Sequence, residues 1–138
     1  MDIIIKDFKS QIKKTLGIDC ILAPQKAKGN TSVIILEFNG IEGAGEPFEK
    51  ISFIARYFSS GSHESWINGV IKDARKLEEL NNEKKIQFLS KSKNLCAVWN
   101  RSKKIGFVYS EDETMPVSYM DEFEVSISYP AALIGVCK

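Results

Sequence analysis

A single histidine, His63, and three cysteines, Cys20, Cys96 and Cys137, are all this sequence offers for metal or nucleophilic chemistry. The cysteines are widely spaced, odd in number and contain no C-x-x-C, which argues against a disulfide framework and against a zinc site. One histidine alone lacks the converging partners that a metal centre or a general base requires, and it reads as an exposed first-turn helix residue. Cys20 and Cys96 lie in apolar runs, where cysteine usually serves as a small buried hydrophobe. No stretch approaches the roughly 20 apolar residues of a spanning helix, so no membrane partner is expected. The opening Met1-Asp2-Ile3-Ile4-Ile5-Lys6 does not resemble a secretory signal, and synthesis in a reducing cytosol is the expectation. Formal charge is only +1, which gives no global pull toward nucleic acid or anionic lipid.

Two further motifs fall short of chemistry. Gly40, Gly43 and Gly45 are spaced G-x-x-G-x-G and lead into a strand, whereas a phosphate cradle depends on a helix N-terminus. They read as a mobile hairpin loop spanning Gly40 to Pro47. The acid pairs Asp112/Glu113 and Glu122/Glu124 read as solvated, with no apolar pocket signalled that would raise a carboxyl pKa. No catalytic residue, cofactor or metal is expected, and the chain does not read as an enzyme.

What is present is a foldable domain. With 138 residues, 43% apolar and 27% charged, the chain is long enough for one core and too apolar for wholesale disorder. The pattern predicts a single α+β domain over 1–138. A helix over about 2–16, capped by Asp2, buries Ile5, Phe8, Ile12 and Leu16 and stops at Gly17. A short strand over 18–23 follows. The apolar run 32–38 predicts a strand covered on both faces and central in a mixed, mainly antiparallel sheet. Phe48 to Phe58 is the next strand, with Ile51, Phe53, Ala55 and Tyr57 on one face, pairing antiparallel with its predecessor. A second helix over about 63–80 carries Trp66, Val70, Ala74 and Leu77 as its core stripe, with Gly69 suggesting a close approach to the sheet. Short strands are expected near 86–89, 95–99 and 105–109. Asp121 to Tyr129 closes the sheet, with Phe123, Val125, Ile127 and Tyr129 alternating against Glu122, Glu124, Ser126 and Ser128.

Charge is segregated although the total is near zero. Between residues 84 and 104 stand Lys84, Lys85, Lys91, Lys93, Arg101, Lys103 and Lys104 without one acid; between 111 and 124 stand Glu111, Asp112, Glu113, Asp121, Glu122 and Glu124 without one base. One reading is a pair of solvated faces with internal pairing. The sharper reading is a self-complementary surface, the basic side of one subunit meeting the acidic side of the next, in a heterologous contact that can close into a ring. A third is a nucleic-acid- or ligand-binding module that uses the basic 84–104 segment with Trp99.

The order of parts carries a resemblance. A lysine-bearing N-terminal helix leads through a short strand to the buried strand Thr31-Ser32-Val33-Ile34-Ile35-Leu36-Glu37-Phe38. A glycine-rich turn then precedes the long strand Glu49-Lys50-Ile51-Ser52-Phe53-Ile54-Ala55-Arg56-Tyr57-Phe58. Serines lead into a helix containing His63-Glu64-Ser65-Trp66-Ile67-Asn68-Gly69-Val70-Ile71, and the alternating strand Glu122–Tyr129 closes the domain. This order resembles the small tail terminator (tail completion) proteins of tailed bacteriophages and related contractile phage-tail-like particles. The resemblance implies a virion protein, assembled in the host bacterial cytoplasm, that forms a ring, commonly a hexamer. Such a ring caps the tail tube protein, stops its polymerisation and presents the surface for head–tail connector proteins, with DNA only passing through an axial channel. By similarity, subunit or tube contacts fall on the acidic strand face (Glu122, Glu124) and the basic 84–104 segment, with the Gly40–Pro47 loop able to reach a neighbour.

Overall fold

The computed structural model describes residues 3–23, 32–43, 47–61, 64–80 and 84–130. Eight elements run α1 (Ile3–Leu16), β1 (Asp19–Leu22), β2 (Val33–Glu42), β3 (Phe48–Ser60), α2 (Glu64–Leu80), β4 (Lys84–Ser90), β5 (Lys93–Tyr109) and β6 (Pro116–Pro130). The six strands form one sheet in the order β1-β2-β3-β6-β5-β4. Only β1 and β2 are parallel; all other neighbours are antiparallel. This is the expected α+β class, with two helices on one mainly antiparallel sheet.

Apolar periodicity explains the layers. Ile4, Ile5, Phe8, Ile12 and Leu16 form the buried stripe of α1, at the three- and four-residue spacing that puts side chains on one helix face. The strand residues Ile51, Phe53, Ala55 and Tyr57 on β3 and Phe123, Val125, Ile127 and Tyr129 on β6 alternate into the same cluster, as the period of two requires. The sheet curls so far that α1 touches both edge strands, β1 and β4, and Phe8 packs on Phe88 at 5.6 Å between ring centroids. Gly17 closes α1 at φ +70°, with its N–H donating to the Lys13 carbonyl at 2.9 Å. The Lys76 ammonium reaches across from α2 to the Leu16 carbonyl at 3.0 Å, where a cation suits the negative helix end.

Several sequence expectations need correction. β2 is not central: it lies second from an edge, and its outer half (Glu37, Phe38, Asn39) is exposed. The middle strands are β3 and β6, so the closing strand is flanked on both sides. Gly40 is not part of a loop, because β2 continues to Glu42 and Gly40 pairs with Ser52 beside a register shift. Gly43 follows the end of β2 at φ +71°, and Gly45 lies outside the described residues. The strands expected near 95–99 and 105–109 are one strand, β5, of 17 residues. Gly69 offers no close approach, since a Cβ there would meet nothing within 4 Å; at Gly61 a Cβ would lie 2.4 Å from Trp66 Cγ. Asp2, His63 and Cys137 lie outside the described residues.

Candidate functional site

The two charge blocks occupy neighbouring strands of one subunit. β5 pairs antiparallel with β6, which sets Lys103 opposite Glu122 and Lys104 opposite Asp121. Arg101 bonds Glu78 of α2 and approaches Asp121 at 3.4 Å, and its guanidinium lies 5.3 Å from the Phe123 ring centroid. Glu122 accepts from Arg56 at 3.0 Å, and Arg56 also bonds Glu37. Part of the segregation seen along the chain is therefore offset within the subunit, through Arg101–Asp121 and the register of Lys103 and Lys104 with Glu122 and Asp121. Glu124 is exposed on the helix-free face, in a shallow polar groove of about 260 Å³ with Lys50, Ser52 and Asn100.

The remaining cations are spread out. Lys85 points outward from the edge strand β4, on which Lys84 also lies. Lys91 and Lys93 sit at the β4–β5 turn, where Lys91 and Ser92 both adopt positive φ, as a two-residue hairpin turn demands. That turn is roughly 30 Å along the strand from Lys103. Trp99 is completely buried against Phe123, with ring centroids 5.1 Å apart, so it presents no face on which a base could stack. The segment is thus not one continuous basic stripe. The two described cysteines, Cys20 and Cys96, are half-buried, and burial pushes the Cys20 thiol up to about 12 despite nearby Lys9. It stays protonated and unreactive at neutral pH.

The feature that sequence reasoning missed is a cleft of about 400 Å³ between α2 and the far half of β5–β6. Val70, Ile71 and Ala74 form its helical wall, Phe107 and Tyr119 its floor, and Arg75, Glu78, Arg101 and Lys104 its charged rim. Register shifts in β5 build it. The shift between Arg101 and Lys103 leaves both Arg101 and Lys104 on the helix side, and that between Lys104 and Gly106 turns Phe107 to face Tyr119. A bulge re-aims the side chains that follow it in this way, and Gly106 at φ +80° supplies the backbone for it.

Polar and aromatic groups are knitted together beneath the cleft. Asp121 is 1% exposed; it accepts from the Tyr119 hydroxyl at 2.9 Å, while its Oδ1 has no partner among the described residues. Burial raises the Asp121 pKa above the ordinary carboxylate value, against the opposing pull of Tyr119, Arg101 and Lys104. The Tyr119 phenol is pushed up to about 12, by burial first and then by Asp121. An aromatic chain runs Trp66–Phe107–Tyr119–Tyr57 with centroids 6.1, 4.9 and 5.9 Å apart. Tyr57 donates to Asp73 at 2.8 Å, and Trp66 Nε1 donates to Ser59 Oγ at 2.8 Å. These bonds pin α2 to the sheet at its first and third turns. One signal for the cleft was legible: Asp121 shares the strand phase of Phe123 and Val125, so alternation alone puts it on the buried face.

No protein-family model matches this sequence, and no curated protein matches it.

Proposed function

We propose that this protein is a structural assembly subunit, one that caps a phage-type tail tube as a ring of identical copies and offers the outer face of that ring to head–tail connector proteins. The observation that carries this reading is where the apolar surface lies. Half of the large apolar side chains that stand exposed among the described residues, namely Ile105, Val108, Tyr109, Met115 and Val117, belong to one arm, the far end of β5 and the start of β6. Exposed apolar side chains gathered in one place mark a contact surface. β4 pairs with β5 only as far as Trp99, so the outer side of β5 beyond it faces no strand among the described residues. Register shifts and the exposed Lys103 and Lys104 guard that edge against indiscriminate strand pairing, which leaves the exposed side chains of the arm as its contact surface.

The element order that resembles tail terminators supplies the choice of partner, and the packed α1 layer supplies the rigid body a ring needs. The test is electron microscopy of the purified chain mixed with tail tubes, together with light scattering of the chain alone. The expected result is rings at tube ends and tubes that no longer lengthen. A chain that stays monomeric in solution and leaves tube ends bare would refute the proposal.

A further inference from the structure

We propose that the cleft between α2 and the β5–β6 arm receives the acidic hairpin tip, residues 109–117, of a second copy of this chain. This rests on the assembly reading above and names the contact that would join one copy to the next.

The two surfaces match in chemistry. The cleft has an apolar floor and wall; Arg75 and Lys104 stand exposed at its rim beside the Arg101–Glu78 pair, with buried Asp121 beneath. The tip carries Glu111, Asp112 and Glu113, and no lysine or arginine occurs from Ile105 to Glu124. Beside these acids stand Tyr109 and Met115, 53% and 41% exposed. An apolar cavity of about 150 Å³ already holds a benzene ring, so a cleft of about 400 Å³ has room for one tyrosine ring or for the methionine and its neighbours.

The tip is held in shape before any contact. Ser110 N–H donates to the Met115 carbonyl at 2.9 Å, and Glu113 N–H to the Ser110 carbonyl at 2.8 Å. Asp112 accepts from the Ser110 hydroxyl and from both the Thr114 amide and hydroxyl, bonds that keep its carboxyl below the usual range. Asp112 is thereby committed to the turn, and Glu111 and Glu113 are the acids that can meet a cationic rim. A pre-ordered tip reduces the entropy lost on docking.

The occupant is another copy because the tip cannot fill its own cleft. Val108 pairs with Ser118 and Tyr109 with Pro116, so the tip continues the strands that carry the floor residues Phe107 and Tyr119. Bending back would break that ladder. Donor tip and acceptor cleft are different surfaces of one chain, so a one-way, head-to-tail contact between them is heterologous and able to close as a ring.

The decisive experiment is a charge swap read by sedimentation velocity, on tail tubes as well as in free solution. Glu111→Lys with Glu113→Lys reverses the tip, and Arg75→Glu with Lys104→Glu reverses the rim; all four side chains are exposed. Each double variant is expected to associate at least about 100-fold more weakly than the parent, since like charges then face each other. An equimolar mixture should recover the parent's assembly, because alternating copies pair reversed tip with reversed rim and native tip with native rim. Ala74→Phe, which fills the cleft without altering charge, should weaken association in the same way. Cooperative melting of every variant certifies its fold, and the tip variant alone suffices if a rim variant misfolds. Variants that assemble like the parent, or a mixture that stays dissociated, would overturn this contact and leave the assembly reading standing. A parent chain that never associates, even on tubes, would overturn both.

Discussion

The two ends of the long β5–β6 ribbon are built differently. At the β4-covered end, Trp99, Ala97, Val125 and Ile127 are completely buried in the core and flanked by strands on both sides. At the far end, the same two strands lose their β4 neighbour, shift register three times, expose apolar side chains and leave a cleft under α2. Regular alternation favours dense packing; each bulge exchanges some of that packing for control over where a side chain points. The covered end reads as the source of stability and the far arm as the source of contact. Substitutions should separate the two.

The largest effect should come from the covered end. Phe8→Ala removes a fully buried ring from the α1–β4 contact and should cost about 3–5 kcal/mol of stability, read as a lower urea midpoint with unchanged slope. Phe107→Ala on the cleft floor is only partly buried and should cost clearly less, while weakening self-association. Equal losses at the two sites, or association untouched by Phe107→Ala, would erase the distinction.

The next effect tests the charged layer beneath the cleft. Arg101→Leu removes the cation nearest Asp121 and leaves a buried carboxylate, which should cost roughly 3 kcal/mol at neutral pH. The pH dependence has a definite sign. Asp121 has a folded pKa raised above its unfolded value, so the folded state takes up the proton more readily. Stability therefore increases as pH falls through the raised folded value, and the gain levels off below the ordinary carboxylate pKa. Arg101→Leu should steepen that gain and Asp121→Asn should abolish it. Denaturation midpoints of the three proteins between pH 7 and pH 4 decide the matter, and parallel curves would contradict the assignment to Asp121.

How far this architecture was legible in the sequence follows the same division. The α1 stripe, the β3 face and the Phe123–Tyr129 face obey unbroken periods of 3.6 or 2, and burial follows them residue by residue. The far arm was not legible because its three register shifts break the period, and bulges have no strong signature beyond an occasional glycine such as Gly106. The opposed charge blocks admitted both internal pairing and a contact between subunits, because the chain was read block by block. Consecutive strands joined by a short turn usually pair, and that rule already brings the basic and acidic blocks side by side; the individual partners depend on the register shifts. The placement of β6 in the middle of the sheet was hidden for another reason. It depends on pairing with β3, some 70 residues away in the chain, and local pattern carries no record of such a partner.

The smaller effects come from two glycines flanking the first turns of α2, where one substitution should act with opposite sign. At Gly61 an added methyl would sit 2.4 Å from the Trp66 ring. That ring is held by its bond to Ser59 and its edge contact with Phe107, so it cannot step aside without disturbing its contact with that floor residue of the cleft. Gly61→Ala should therefore destabilise by about 1–3 kcal/mol, as overpacking does, and should shift the tryptophan fluorescence. At Gly69, inside α2, the same methyl meets nothing within 4 Å, and only the backbone entropy of the unfolded chain changes. Gly69→Ala should stabilise by roughly 0.5–1 kcal/mol, visible as a raised melting temperature with association unaltered. A loss of stability there would mean that the outer face of α2 is covered in the molecule as it exists in solution, and the boundary between covered end and contact arm would have to be redrawn to include it.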